Sequence, residues 1–226
     1  MEKLKVGIII PDRGDRPDFL ENCKRMIKNQ TYNDVYTYVV NFFNSTNEVD
    51  ITKRYKKGYE LYSGRGFDCL LLMENDDYYA PDYIETMLNK WVEIGKPDLL
   101  GTNYTIYYHL GTKKHFTMHH KRRASAMNTL IKPDLNFDWC KDNDPYTDLH
   151  LWMRCGLKGI TFKPEKIISI GMKHGVGMCG GRNHVDYLNR YVNDDSELNF
   201  LKENIDQPSF EFYKQQSEKW QLQKTT

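Results

Sequence analysis

Three short apolar segments in the first part of the chain each end in polar residues and precede an amphipathic segment. The apolar segments are residues 5–11, 35–43 and 69–73, and the amphipathic ones are 18–29, 49–62 and a stretch beginning at Pro81. Unbroken apolar runs indicate buried strands, and apolar residues three and four apart indicate helices. Strands that alternate with helices favour a parallel sheet with right-handed crossovers. The sequence therefore predicts an α/β fold with a mainly parallel central sheet flanked by helices.

The second half of the chain has a less regular pattern. Strands are predicted over 99–108, 159–162 and 166–174, with a helix over 149–155. After Gly181 the sequence turns hydrophilic, with scattered aromatic residues and no strong periodicity. A length of 226 residues suits one large domain or two small ones, and no low-complexity linker divides this chain. We expect one domain over residues 1–184, with residues 185–226 forming a helical or extended tail packed on it.

Charge and cysteine content exclude several classes of protein. Lys and Arg number 32 against 31 Asp and Glu, so no global basic field favours nucleic acid. The five cysteines are widely spaced and form no CxxC pair, which disfavours a disulfide framework or a zinc site. The apolar run near the amino terminus is too short for a signal peptide or a membrane span. A cytoplasmic protein with no stable membrane insertion is the prediction.

The third predicted strand ends in four polar residues, Glu74, Asn75, Asp76 and Asp77. Ligands bind at the carboxyl edge of open α/β sheets. Clustered carboxylates are costly to hold together without a cation, and Mg²⁺ or Mn²⁺ prefers oxygen ligands that it often shares with phosphates. The segment therefore predicts a metal-bridged phosphate site. A solvated turn is the plain alternative, since Asp and Asn are common turn residues.

Three segments together resemble the GT-A class of nucleotide-sugar-dependent glycosyltransferases, especially family 2. They are VGIIIPDRGDRPDFLENCKRMIKNQTY, DCLLLMENDDYYAPDYI and TDLHLWMRCGLKG, and their order and spacing match the family over roughly residues 4–175. The resemblance implies a single Rossmann-like GT-A domain in which a DxD motif holds a divalent metal on the donor diphosphate. One departure is that Glu74 stands where the family usually has Asp.

The resemblance implies a role for each matching residue. The implied nucleotide-binding residues are Asp12, Arg13, Asp15, Arg16, Arg54, Glu74, Asn75 and Asp76. The implied ligands of Mn²⁺ or Mg²⁺ are Asp76, Asp77 and His174, with His184 as the alternative histidine. Which of the three acids ligates the metal is left open. The structural alternatives are an ordinary charged turn for the segment DRGDRP, a solvated helix face for the basic residues beside Arg54, and a surface histidine for His174.

Asp148 aligns with the residue that serves as catalytic base in inverting members of the family. A base must remove the proton from the acceptor hydroxyl as its oxygen attacks the anomeric carbon. Apolar shielding by Tyr146 or Trp152 would raise its basicity, and Arg154 is suited to fix its position. Asp142 and Asp144 are alternative bases, and a helix cap is the structural alternative for Asp148.

The segment Lys113–Arg123, KKHFTMHHKRR, consists mostly of basic residues around Phe116. It is suited to an anionic acceptor or nucleic acid, to a lid over the diphosphate, or to a plain solvated loop.

These observations predict a metal-dependent glycosyltransferase that moves a sugar from a nucleoside-diphosphate sugar to a hydroxyl, with inversion. A glycan and a hydroxymethylated nucleic-acid base are both acceptable acceptors. The alternatives are a nucleotidyltransferase of related fold, which the single glycine of DRGDRP disfavours, and a non-catalytic sugar- or nucleic-acid-binding module.

Overall fold

The computed structural model describes residues 3–41, 49–175 and 188–225. The strands in these ranges are β1 (Val6–Pro11), β2 (Val35–Val40), β3 (Cys69–Leu72), β4 (Tyr78–Tyr79), β5 (Leu99–Thr102), β6 (Tyr104–His109), β7 (Lys114–His119), β8 (Thr129–Ile131), β9 (Gly159–Phe162), β10 (Ser169–Lys173) and β11 (Asn193–Asp194). The helices are α1 (Pro17–Lys28), α2 (Ile51–Tyr62), α3 (Tyr83–Glu93), α4 (Thr147–Met153), α5 (Asn199–Asn204) and α6 (Gln207–Thr225). Each predicted strand and helix has a counterpart whose ends differ by a few residues, and the end of the second predicted strand, 42–43, lies outside the described residues.

The first sheet has the order β2-β1-β3-β8-β5-β9. Strand β1 pairs in parallel with β2 and β3, and β5 pairs in parallel with β9. Strand β8, however, runs antiparallel to both β3 and β5. The chain reaches β8 through the strands β6 and β7 rather than through a crossover helix, so nothing requires a parallel orientation. The fold is α/β, but the prediction of a mainly parallel sheet is not confirmed.

The second sheet is also mixed and has the order β11-β7-β6-β10-β4. Strands β6 and β10 are parallel, whereas the β6–β7, β10–β4 and β7–β11 pairs are antiparallel. Strand β4 directly follows the acidic segment 74–77, and β10 ends one residue before His174. This pairing therefore brings the two segments with the predicted metal ligands next to each other.

Apolar clusters cover both faces of the first sheet. Side chains alternate along β1, so Val6, Ile8 and Ile10 join one cluster with α1 and α3, while Ile9 joins another with α2. Helix α2 lies close to β1 at Gly58, where an added Cβ would be 2.3 Å from Ile9 Cγ2. The strands of the first sheet are therefore packed between two helical layers.

The carboxyl-terminal helix α6 packs near the end of β3. Phe212 contacts Phe19 of α1 with ring centroids 5.2 Å apart, and the buried Tyr213 hydroxyl donates to the Asp76 carbonyl at 3.3 Å. Ser217 donates to the Leu110 carbonyl at 2.7 Å. The tail therefore supports the acidic segment, while the domain boundary at 184 stays a prediction. Among the described helices, none combines the length and apolar character needed to cross a bilayer.

Candidate active site

Backbone and side-chain hydrogen bonds fix the acidic segment after β3. The Glu74 N–H donates to the Tyr79 hydroxyl at 2.7 Å, and Asn75 Nδ2 donates to Asp12 Oδ1 at 2.7 Å. Asp77 Oδ1 accepts from the Met172 N–H of β10 at 2.8 Å. The segment is thus tied to β4, to the loop after β1 and to the second sheet, so it is not a solvated turn.

Glu74, Asp76 and Asp77 can each turn a carboxylate oxygen toward a common point. Their potential ligand atoms all lie within 4.8 Å of one another. Asp77 is only 1 % exposed, and its Oδ2 has no hydrogen-bond partner among the described residues. A buried carboxylate oxygen without a partner is costly, and a divalent cation would satisfy it. The donor set, oxygen only, fits Mg²⁺ or Mn²⁺.

The three carboxylates differ in pKa because their surroundings differ. Burial and the neighbouring Asp76 raise the pKa of Glu74 to about 7. Burial, Asp76 and Glu74 raise the pKa of Asp77 well above its ordinary value. Burial alone would raise the pKa of Asp76, but Arg16 and then His174 lower it below its ordinary value. Charge is therefore poorly tolerated at two of the three acids until a cation is bound.

His174 contacts Asp76 directly. Its Nε2 lies 2.7 Å from Asp76 Oδ2, and Arg16 Nη1 donates to the same oxygen. The His174 ring also packs on Phe19, with centroids 4.4 Å apart. In this arrangement His174 orients Asp76 rather than joining the three-acid group. The role of His174 as a ligand stays a prediction, and His184 lies outside the described residues.

The loop after β1 lines a small cleft of about 50 Å³ beside the acidic segment. Its lining residues are Pro11, Arg13, Arg16, Asp50, Ile51, Arg54, Glu74, Asn75 and Asp76. Asp15 lies 3.4–3.6 Å from the guanidinium groups of Arg13 and Arg16 and orients both. The structure therefore brings the predicted nucleotide-binding residues together at one edge of the sheet.

Arg54 has a structural task at this edge. It is 0 % exposed and donates to Asp50 Oδ2 at 2.7 and 3.0 Å and to the Val40 carbonyl at 2.9 Å. These bonds hold the start of α2 against the end of β2. A direct contact between Arg54 and a nucleotide stays a prediction.

A larger cleft of about 510 Å³ adjoins the small one, since Glu74 and Ile51 line both. Asp148, in the first turn of α4, lines this larger cleft together with Glu74 and Asp77. Arg123 Nη1 donates to Asp148 Oδ2. Burial raises the pKa of Asp148 above its ordinary value, and the Arg123 guanidinium opposes that rise. The cleft therefore has a carboxylate of raised basicity across from the acidic segment.

Of the residues predicted as partners or substitutes for Asp148, Asp142, Asp144, Trp152 and Arg154 lie outside the larger cleft. Asp142 is exposed and lies 3.7 Å from Lys56 Nζ, while Asp144 Oδ1 accepts from the Tyr146 N–H at 2.8 Å. Arg154 is exposed, and Trp152 donates to Thr129 Oγ1 in the core. Neither alternative acid lines the cleft, whereas Tyr146 does. The sequence reasoning missed Arg123 as the partner of Asp148, because only the fold brings them together.

The basic segment Lys113–Arg123 does not form one charged face. Alternation along β7 turns Phe116 and Met118 toward the larger cleft, while His115 stacks on Phe200 with centroids 3.8 Å apart. Arg123 is the member whose charge reaches the cleft. A second basic residue of the cleft, Lys173 at the end of β10, was also missed, although it precedes His174 in the sequence.

Comparison with known proteins gives little beyond this geometry. No family model matches the chain, and no curated protein matches it significantly. One similar solved structure is described as the crystal structure of a glycosyltransferase involved in the glycosylation of the major capsid of PBCV-1. It is 10% identical, with a TM-score of 0.44, and the match covers 72% of this chain and 84% of that chain. A TM-score this low at this identity establishes neither a family nor an activity.

Proposed function

We propose that this protein is a metal-dependent glycosyltransferase that moves a sugar from a nucleoside-diphosphate sugar to a hydroxyl acceptor. The observation that carries the proposal is the group of half-buried Glu74 with buried Asp76 and Asp77, which borders two adjoining clefts. A site of this kind can hold a cation on a diphosphate while the nucleoside and the sugar occupy the two sides. The resemblance to family 2 assigns the same segments to the same tasks.

The small cleft is the proposed contact for the nucleoside, since its arginines and Asn75 offer cations and a hydrogen-bond acceptor. The larger cleft would hold the sugar and the acceptor, and its aromatic lining includes Tyr107, Phe116 and Tyr146. Aromatic faces suit the apolar faces of sugar rings or bases. This aromatic lining suits a glycan and a hydroxymethylated nucleic-acid base equally as acceptor.

Asp148 is the proposed catalytic base. The acceptor oxygen forms a bond to the anomeric carbon while the bond from that carbon to the diphosphate oxygen breaks. The hydroxyl proton passes to the Asp148 carboxylate, and the nucleoside diphosphate leaves with the bonding electrons. A bound Mn²⁺ or Mg²⁺ supplies neutralisation of the negative charge on the leaving diphosphate. Direct attack at the face opposite the diphosphate gives inversion of the anomeric centre.

Thermal melting with a panel of UDP-, GDP-, ADP- and dTDP-sugars, each with Mn²⁺ and with EDTA, tests the proposal. Saturation at about 100 times Kd stabilises a protein by about 2.7 kcal/mol, which is a Tm shift of about 5–10 °C for a chain of this size. We expect one donor to give this shift only with the metal, and slow hydrolysis of that donor without an acceptor. Asp77→Asn should abolish the metal dependence. A panel without any shift or hydrolysis would contradict the proposal.

A further inference from the structure

Lys173, the last residue of β10, is a charged side chain buried beside the acidic segment. It is 6% exposed and lines the larger cleft together with Glu74 and Asp77. Its Nζ lies 5.2 Å from the centroid of the Tyr107 ring. Within the described ranges its ammonium group makes no hydrogen bond and no ion pair with a carboxylate. The carboxylates of Asp77, Glu74 and Asp76 interact electrostatically with this buried ammonium group without forming an ion pair, so its hydrogen-bond donors can meet an anion in the cleft.

The position of Lys173 is fixed by the second sheet. The Lys173 carbonyl accepts from the Leu110 N–H at 2.9 Å, and β10 pairs with β6 in parallel register, Lys173 opposite His109. The next residue, His174, contacts Asp76. Strand β10 therefore places the ammonium group of Lys173 in the larger cleft, on the same side as the proposed metal site.

The charges around Lys173 indicate which anion its ammonium group is suited to bind. The three carboxylates of the acidic segment face two permanent cations, Lys173 and Arg16, and Arg16 is already bound to Asp76. With a divalent cation bound and all three carboxylates ionised, the local charge is about +1. A diphosphate is the anion that the proposed reaction brings to this positively charged place.

We propose that Lys173 binds a phosphate of the sugar donor, as a second cation beside the metal. This inference rests on the proposed function and adds a binding residue that neither the family motifs nor the acidic segment supplies. Lys173 would hold the leaving diphosphate as a point charge, because an ammonium group accepts many phosphate orientations.

Binding measurements on Lys173→Met, which keeps the length and removes the charge, test this inference. The probes are UDP, GDP, ADP and dTDP with Mn²⁺ by calorimetry, and Mn²⁺ alone by electron paramagnetic resonance. We expect nucleoside-diphosphate affinity to fall about 10- to 100-fold, as for loss of a charge-assisted hydrogen bond. Affinity for Mn²⁺ alone should stay equal or rise, because a positive charge near its ligands is gone.

Two further variants separate phosphate binding from a structural role. Lys173→Arg should restore part of the nucleotide affinity. Lys163→Met is the matched control, since Lys163 lies 5.3 Å from the Tyr104 ring centroid but is exposed and outside the cleft. Its affinities should equal those of the unmodified protein.

A lower affinity for the nucleoside diphosphate, together with an equal or higher affinity for Mn²⁺ alone, identifies the proposed role of Lys173. A Lys173→Met protein that binds the diphosphate as tightly as the parent, or loses Mn²⁺ and nucleotide together, overturns the inference while the proposed function stands. A parent protein that binds none of the four nucleotides overturns both.

Discussion

Asp148→Asn gives the sharpest test of the proposed chemistry. Asparagine keeps the shape of the side chain and an oxygen that accepts from Arg123, so the wall of the cleft should stay in place. Only the ability to take a proton is lost. General-base catalysis typically contributes about 10²- to 10⁴-fold, or about 3–5 kcal/mol of activation free energy. We expect transfer to fall by this factor, while the Kd of the donor changes less than twofold, about 0.4 kcal/mol.

The Asp148→Asn substitution should raise the stability of the folded protein or leave it unchanged. Because burial raises the pKa of Asp148, the folded state binds its proton more readily than the unfolded state. The ionised carboxylate therefore costs stability above the ordinary Asp pKa, and its removal does not lower Tm at neutral pH. A variant with unchanged or higher Tm and little transfer indicates a catalytic role rather than a structural one.

Single-turnover transfer and donor hydrolysis are the assays, with Asp144→Asn as the matched control. Asp144 lies in the loop just before α4 and outside the cleft, and its amide analogue keeps the bond to the Tyr146 N–H. The control should retain full transfer. Full transfer in Asp148→Asn, or equal losses in both variants, would refute the assignment of Asp148 as base.

The pH profile gives an independent check on the same residue. A base acts in its ionised form, so transfer should fall as pH drops through the raised pKa of Asp148, above the ordinary Asp value. Arg123→Gln removes the guanidinium that lowers this pKa, so the acid limb should move to higher pH. An acid limb that stays in place in Arg123→Gln would contradict the pairing of the two residues in solution.

The remaining predictions concern the acidic segment and the fold. Asp76→Ala should destabilise the protein by about 1–3 kcal/mol, because the half-buried Arg16 and the buried His174 lose the oxygen that they share, while Asp77→Asn should lose metal binding without lowering stability; equal free energies of unfolding in urea would contradict this difference. Gly58→Ala should cost about 1–3 kcal/mol in urea unfolding despite better helix propensity, since its Cβ would lie 2.3 Å from Ile9 Cγ2, and an unchanged midpoint would contradict the tight packing. Burial, with nearby cations, lowers the pKa of His120 to about 4 from 6.5, so stability should fall by at most about 3 kcal/mol as pH drops through this window, and His120→Gln should flatten the decline seen by thermal melting.

Local sequence pattern determined the elements of the first half of the chain. Apolar runs and helical spacing gave β1, α1, β2, α2, β3 and α3 with small errors at their ends, because burial on one or two faces imposes a period on the residues themselves. The acidic segment was visible for the same reason, as a sharp change from buried strand to carboxylates. The position of Asp148 at the start of α4 was also predictable, from motif order.

Pairings between distant segments were decided by the tertiary structure alone. The antiparallel pairing of β8 with β3 and the ion pair of Arg123 with Asp148 each join residues 25 or more positions apart. Residue spacing carries no information about such contacts, because many registers satisfy the same hydrophobic pattern. Lys173 shows the difference most clearly: its identity was plain in the sequence, but only the pairing of β10 with β6 and β4 made it a buried cation at the site.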